Sequence, residues 1–256
     1  MSPINYREAG SGPSVMLLHG FPMNLHVWES VVEKLSDEFH VITPDLPGFG
    51  RSAALAEGFT IDDVASSILQ FMKERNFVRP VVIGHSLGGY VTLAMAEQQP
   101  DALAGFCLFH STALPDSEEK KQSRNKVLDF IEKQGVHAFT SNFIAGLYAD
   151  PQHSSIMKVK NIAVSASAET VIGYTKAMRD RKDRTHVVKA FPRPMLLLGG
   201  EKDQAIPAES ILQQASLSPQ AEAIILPGVA HMGMFEAEPV TVKKISAFVK
   251  KCEVTF

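Results

Sequence analysis

Residues 81–89 read Val-Val-Ile-Gly-His-Ser-Leu-Gly-Gly, and a helical pattern through Val91, Ala94 and Met95 follows. An apolar run suited to a strand thus meets a serine flanked by glycines at the start of a helix. A serine at the tip of so sharp a strand-to-helix turn takes a strained backbone conformation. Side chains two positions either side would collide there, and Gly84 and Gly88 carry none. The Ser86 hydroxyl then stands clear of the chain, beside the positive dipole and free N–H groups of the next helix. Such a turn presents a nucleophile for acyl transfer, with the N–H of Leu87 as one donor to the developing oxyanion. His85 is its neighbour, but adjacent side chains on this turn diverge. His85 therefore reads as structural or pocket-lining, not as the base.

A serine hydroxyl is a weak nucleophile at neutral pH. It needs a base that takes its proton and returns it to the leaving group, and the base needs an orienting carboxylate. His231 follows the apolar run 223–226, and Asp203 follows 195–198. Both fall at the carboxyl ends of predicted strands, as Ser86 does, so the three can meet at one edge of a sheet. Among the other histidines, His137, His153 and His186 lie where no motif matches, and His26 and His40 flank a helix and a strand. His110 ends a strand in surroundings that offer no triad pattern. Glu201 and Asp116 compete with Asp203 for the role of the acid.

These positions converge only if the right elements carry them. The runs 15–18, 41–42, 81–83, 106–109, 195–198 and 223–226 are short and mostly continuous in apolar residues. Continuous apolar character suits strands buried on both faces of a parallel sheet. Between the runs lie helical patterns. Trp28, Val31, Val32 and Leu35 make one, and Ile61, Val64, Ala65, Ile68, Leu69 and Met72 make another behind a Thr60 N-cap. Near the end, Ile245, Phe248 and Val249 share a face, and Pro239 suits a first helical turn. The alternation predicts an α/β fold with a mostly parallel central sheet flanked by helices, binding its ligand at the carboxyl ends of the strands.

From 112 to 191 the alternation stops. Apolar faces form at Val127, Phe130 and Ile131, at Phe139, Phe143 and Leu147, and at Val171, Tyr174 and Met178. This predicts an all-helical cap, with 1–111 and 192–256 as the core and 112–191 as the lid. The insertion holds 13 basic and 9 acidic residues against 12 and 19 elsewhere, so the cap is basic and the body acidic. Its run of Arg179, Arg181, Lys182 and Arg184 reads first as a solvated face, and second as an attraction for an anionic substrate.

The 256 residues are 45% hydrophobic and 21% charged, with a net charge of −3. That balance excludes wholesale disorder and favours neither nucleic acid nor an anionic membrane as partner. No apolar run approaches the roughly 20 residues that span a bilayer. The start, MSPINYREAGSG, lacks a basic region followed by an apolar run. Two cysteines, Cys107 and Cys252, build no disulfide framework. These features predict a soluble, cytoplasmic protein with reduced thiols. No cluster of metal ligands and no phosphate-binding glycine loop stands out, so no metal and no cofactor is expected.

The G-H-S-L-G turn, His19-Gly20-Phe21-Pro22, the segment from Pro44 to Ser52, Gly199-Gly200-Glu201-Lys202-Asp203 and Gly228-Val229-Ala230-His231 together resemble the α/β-hydrolase superfamily. The resemblance covers nearly the whole chain and extends to members with a helical lid. It implies the chain order serine, acid, histidine, which favours Ser86, Asp203 and His231. It also implies the N–H of Phe21 as the second oxyanion donor, with His19 and Gly20 shaping that loop. The 45–52 segment is then structural. Met23, Phe143, Leu147 and Met232, with Phe21 and Leu87, are candidates to line an apolar acyl pocket.

The expected activity is that of a serine hydrolase cleaving a small carboxylic ester through an acyl-enzyme. A lactonase, a C–C bond hydrolase, a thioesterase, a perhydrolase or a related lyase would use the same machinery. Ser86 argues against dehalogenases and epoxide hydrolases, which carry aspartate at that position. A small-molecule receptor on the same fold is the alternative of another class.

Overall fold

The computed structural model describes residues 3–253. Seven strands form one sheet: β1 (Tyr6–Ala9), β2 (Ser14–Leu18), β3 (His40–Pro44), β4 (Val81–His85), β5 (Gly105–Phe109), β6 (Met195–Gly200) and β7 (Ala221–Leu226). Their spatial order is β1-β3-β2-β4-β5-β6-β7. All neighbouring pairs are parallel except β1 with β3.

The helices are α1 (Glu29–Leu35), α2 (Ile61–Glu74), α3 (Leu87–Gln98), α4 (Glu118–Phe143), α5 (Ile156–Ala163), α6 (Ala168–Arg179), α7 (Thr185–Ala190), α8 (Ala208–Ala215), α9 (Gly233–Glu236) and α10 (Glu238–Glu253). None is long and apolar enough to cross a membrane among the described residues.

Strand periodicity divides the core into two layers. Met16, Leu18 and Val82 point toward α2 and α3, while Val15, Leu17 and Ile83 point toward Trp28, α1 and α10. Because both faces are covered, β4 and β5 are buried along their whole length. That explains their continuous apolar runs. Helix α3 is buried on nearly every side, so it carries no polar stripe. Helix α2 begins at Thr60 in a capping box, in which Thr60 accepts from Asp63 N–H and the Asp63 carboxylate accepts from Thr60 N–H.

The sequence reading missed β1. Its Tyr-Arg-Glu-Ala run is an antiparallel edge strand with two exposed polar residues, and it lacks the apolar signature of the buried strands. Helices α4 to α7 stand between β5 and β6, as the broken alternation predicted, with no strand among them. One detail differs. Ile131 is buried, but Phe130 is 38% exposed and does not belong to the packed face of α4. Helix α4 is also interrupted at Gly135, whose φ of 82° is outside the helical range.

The inserted helices dock onto the 45–52 loop. Tyr174 Oη donates to Pro47 O at 2.9 Å, and Thr170 Oγ1 donates to Gly48 O at 3.1 Å. Each cation of the 179–184 run has an acidic partner. Arg184 bridges Asp62 at 2.6 Å and Glu97 at 3.0 Å, and Lys182 also reaches Asp62, at 3.3 Å. Arg181 pairs with buried Asp116 at 2.5 Å, and Arg179 pairs with Asp180 at 2.8 Å. A guanidinium taken out of water must find such partners. Replacing Arg184 by Ala leaves Asp62 and Glu97 facing each other without it. Because both carboxylates still reach solvent, we expect a loss of about 2 kcal/mol, below the full buried-pair value. Urea unfolding measures this, and an unchanged midpoint would show that the bridge does not hold the insertion to the body.

Candidate active site

Strand β4 ends at His85 and α3 starts at Leu87, so Ser86 alone makes the turn. Its φ of 49° and ψ of −111° cost on the order of 1–3 kcal/mol for a residue other than glycine. Neighbouring strands hold it there. Ser86 N–H donates to Phe109 O at 2.9 Å, and Ser111 Oγ donates to Ser86 O at 2.7 Å. A Cβ on Gly84 would lie 2.4 Å from Gly88 O, so the expected crowding across the turn is present. For Gly88 the obstacle is a different element, since its Cβ would lie 2.5 Å from Leu18 O at the end of β2.

The adjacent strands β5, β6 and β7 deliver His110, Asp203 and His231 to the same edge. Asp203 is 4% exposed and accepts four hydrogen bonds. Its Oδ1 accepts the N–H groups of Ala205 at 2.9 Å and Ile206 at 3.0 Å. Its Oδ2 accepts His231 Nδ1 at 2.8 Å and His110 Nδ1 at 2.9 Å. Burial pushes this carboxyl up, but His231 and the two imidazole N–H bonds outweigh it and hold Asp203 well below the usual carboxylate range.

An ionised Asp203 fixes the tautomer of both rings as Nδ1–H. His231 Nε2 is then a free lone pair. Neither it nor the Ser86 hydroxyl makes a hydrogen bond among the described residues. A base and its nucleophile often close to bonding distance only around a bound substrate.

Sequence reasoning set His110 aside as a base and did not bring it to Asp203. The signal was its place directly after a predicted strand on the edge where ligands bind. His85 fills the structural role expected of it, donating from Nε2 to His231 O at 2.9 Å. Burial lowers both His85 and His110 from the ordinary histidine value, so the three clustered rings do not compete for charge.

The rival acids have other partners. Asp116 is held by Arg124 and Arg181, and Glu201 accepts Gly228 N–H at 2.8 Å. Four rival bases are also engaged away from the site: His26 with Glu29, His40 with Glu8, His153 with Ser155 and His186 with Glu97. His110, Asp203 and His231 place ligand-type atoms within 4.8 Å of one another, a grouping the sequence did not reveal. Both imidazole Nδ1 atoms lie at hydrogen-bonding distance from one carboxylate oxygen, 2.8 and 2.9 Å.

The N–H groups of Phe21 and Leu87 have no acceptor among the described residues. The loop bearing Phe21 is fixed by His19, which donates from Nδ1 to Gly20 O and accepts Leu46 N–H at Nε2, both at 2.9 Å. Its neighbour Asp45 accepts Leu25 N–H at 2.8 Å and Arg51 N–H at 3.0 Å, consistent with a structural role for that segment.

The His231 loop is tied to the inserted helices. His231 N–H donates to Leu147 O at 2.9 Å. The Glu236 carboxylate accepts Ala149 N–H at 2.8 Å from the insertion, and Met232 N–H at 3.0 Å and Ala230 N–H at 3.3 Å from either side of His231. A cavity of about 380 Å³ opens here, lined by Leu147, Asp203, His231 and the polar residues Glu201, Lys202 and Gln204. It reaches Asp203 and His231 but not Ser86. Among the expected pocket residues, Leu147 lines this cavity. Phe143 stacks on Phe139 and meets Phe21 edge-on at 6.0 Å. Met23 and Met232 are buried in the core layer beneath the edge.

Protonation of the buried rings opposes the fold. His19, His85 and His110 are all lowered by burial, so near pH 6.5 and below the unfolded chain takes up protons that the folded chain refuses. Stability from these residues is complete above about pH 6.5 and is lost on acidification. The thermal midpoint is therefore expected to fall between about pH 7 and pH 5. A flat midpoint across that interval would contradict neutral buried rings.

A family model described as the α/β hydrolase fold matches residues 13–122. A solved structure of a thermophilic esterase from Thermogutta terrifontis, with malate bound, superposes with a TM-score of 0.92 at 30% identity, covering 98% of this chain and 94% of that one. The 2-(acetamidomethylene)succinate hydrolase of Mesorhizobium japonicum is 26% identical over 260 residues, which span 96% of this chain and 91% of that protein. The pimeloyl-[acyl-carrier protein] methyl ester esterase of Vibrio vulnificus is 26% identical over 246 residues, 92% of this chain and 93% of that protein. With the sheet order, the serine turn and near-complete coverage in agreement, this chain belongs to the α/β-hydrolase fold family.

Proposed function

We propose that this protein is a serine hydrolase of small carboxylic esters, with Ser86 as nucleophile, His231 as base and Asp203 as orienting acid. The observation that carries the reading is the 2.8 Å bond from His231 Nδ1 to buried Asp203, on the edge where Ser86 makes its strained turn. The relatives named as a thermophilic esterase and a methyl ester esterase support the choice of ester over other carbonyl substrates.

In this mechanism Ser86 Oγ attacks the carbonyl carbon while its proton passes to His231 Nε2. The oxygen gains charge within reach of the Phe21 and Leu87 N–H groups, each worth roughly 3 kcal/mol in comparable sites. The C–O bond to the alcohol breaks, and His231 returns the proton to the leaving oxygen. Water then gives its proton to His231 and attacks the acyl carbon. The acid leaves, and the proton returns to Ser86. Asp203 stays ionised and stabilises the imidazolium at each stage. Residues 112–191 serve as the cap, holding the His231 loop through Leu147 and Ala149. Because the cations from 179 to 184 are already paired, they supply no free charge for an anionic acyl group. Neutral acyl chains against Phe21 and Phe143 fit better.

A fluorophosphonate probe should label the protein, and Ser86→Ala should abolish labelling. Tight ligand binding without labelling would favour a receptor instead. On p-nitrophenyl esters, Asp203→Asn is expected to lower kcat by about 10⁴-fold, whereas Glu201→Gln should leave it near normal. Equal losses in the two variants would mean that the acid is misassigned. Lactones and thioesters assayed beside the esters rank the substrate classes that share this machinery.

A further inference from the structure

His110 is left over by the chemistry assigned to Ser86, Asp203 and His231. It stands at the end of β5 with no exposed surface, and its φ of 49° is one that residues other than glycine seldom adopt. Its Nε2 is buried without a hydrogen-bond partner. The ring is packed so closely that a Cβ on Gly233 would lie 2.5 Å from that nitrogen. A strained backbone and an orphaned polar atom both cost stability. A phenylalanine or leucine would fill the space without the second cost. The one polar contact that the imidazole makes is from Nδ1 to Asp203 Oδ2, at 2.9 Å.

That contact falls on the same oxygen that serves His231. Two consequences follow from hydrogen-bond physics. First, the carboxylate is gripped on all its acceptor sites, with Ala205 and Ile206 on Oδ1 and two imidazoles on Oδ2, so it cannot rotate away from His231. Second, an oxygen that already accepts one N–H is a weaker acceptor for another, which moderates the pull of Asp203 on the His231 cation.

We infer that His110 is a positioning residue of this site, a neutral Nδ1–H donor that shares Asp203 Oδ2 with His231 and so sets the carboxylate's orientation and its pull on the base. This inference rests on the ester-hydrolase reading above. The titratable groups facing the pair are His85 at the end of β4, His110 at the end of β5 and Glu236 in α9. Of these, only His110 joins His231 in donating to the carboxylate.

The test compares His110→Phe with His110→Asn, whose Nδ2 can occupy the place of the imidazole Nδ1. With p-nitrophenyl acetate, His110→Phe should lower kcat by about 10- to 100-fold, a size typical of lost outer-sphere partners, with KM changed less than about twofold. Without the second donor, Asp203 stabilises the protonated imidazole more strongly, so the acid limb of kcat/KM should move to higher pH. His110→Asn should restore most of both. A Phe variant with wild-type kcat and pH profile would overturn the inference, as would an Asn variant no better than Phe.

Proton and nitrogen NMR of the wild-type protein supplies a readout independent of turnover. Two downfield imidazole N–H protons are expected, with His110 in the Nδ1–H form, and His110→Asn should remove one of them. A His110 ring protonated at Nε2 would overturn the inference even if both variants fail to fold. Inactive wild-type protein with both downfield protons present would instead count against the hydrolase reading and leave the shared carboxylate standing.

Discussion

A buried carboxylate is costly unless every lone pair finds a donor, and Asp203 finds four. Two come from its own loop, and the other two come from residues 93 positions earlier and 28 positions later in the chain. They reach it because β5, β6 and β7 lie side by side and parallel, so their carboxyl ends open onto one edge. A slip in the register of these strands would leave a charge without partners. The electrostatics of one side chain and the topology of the sheet therefore constrain each other.

In the proposed mechanism the same edge governs proton traffic. His19, His85 and His110 are all lowered by burial, and their hydrogen bonds specify neutral tautomers. His231 has Asp203 on one nitrogen and a free lone pair on the other. In the proposed mechanism the imidazolium that forms meets one carboxylate and no competing cation. The strain stored at Ser86 and His110, both at positive φ, is concentrated here, as is usual where a site is held ready before its substrate arrives.

The inserted helices are joined to this machinery through the backbone. Leu147 accepts the His231 N–H, and Glu236 gathers N–H groups from the insertion and from both sides of His231. A displacement of the 146–149 segment would therefore pull on His231 itself. Among the arginines of the insertion, Arg184 faces two carboxylates of the body, while Arg179 and Arg181 face Asp180 and Asp116 within the insertion.

The sequence by itself determined the strands β2 to β7, the helical insertion, the glycine-framed Ser86 and the positions of Asp203 and His231. Each is a local pattern: a continuous apolar run, a helical period, or a turn that only small residues permit. The edge strand β1 escaped because half-exposed polar residues leave no such pattern. Tertiary structure alone decided that Asp116 and Glu201 take other partners, that Phe130 is partly exposed, and that His110 shares the oxygen of Asp203 with His231. Those outcomes depend on which distant groups meet in space, and spacing along a chain does not encode the direction in which a buried nitrogen points.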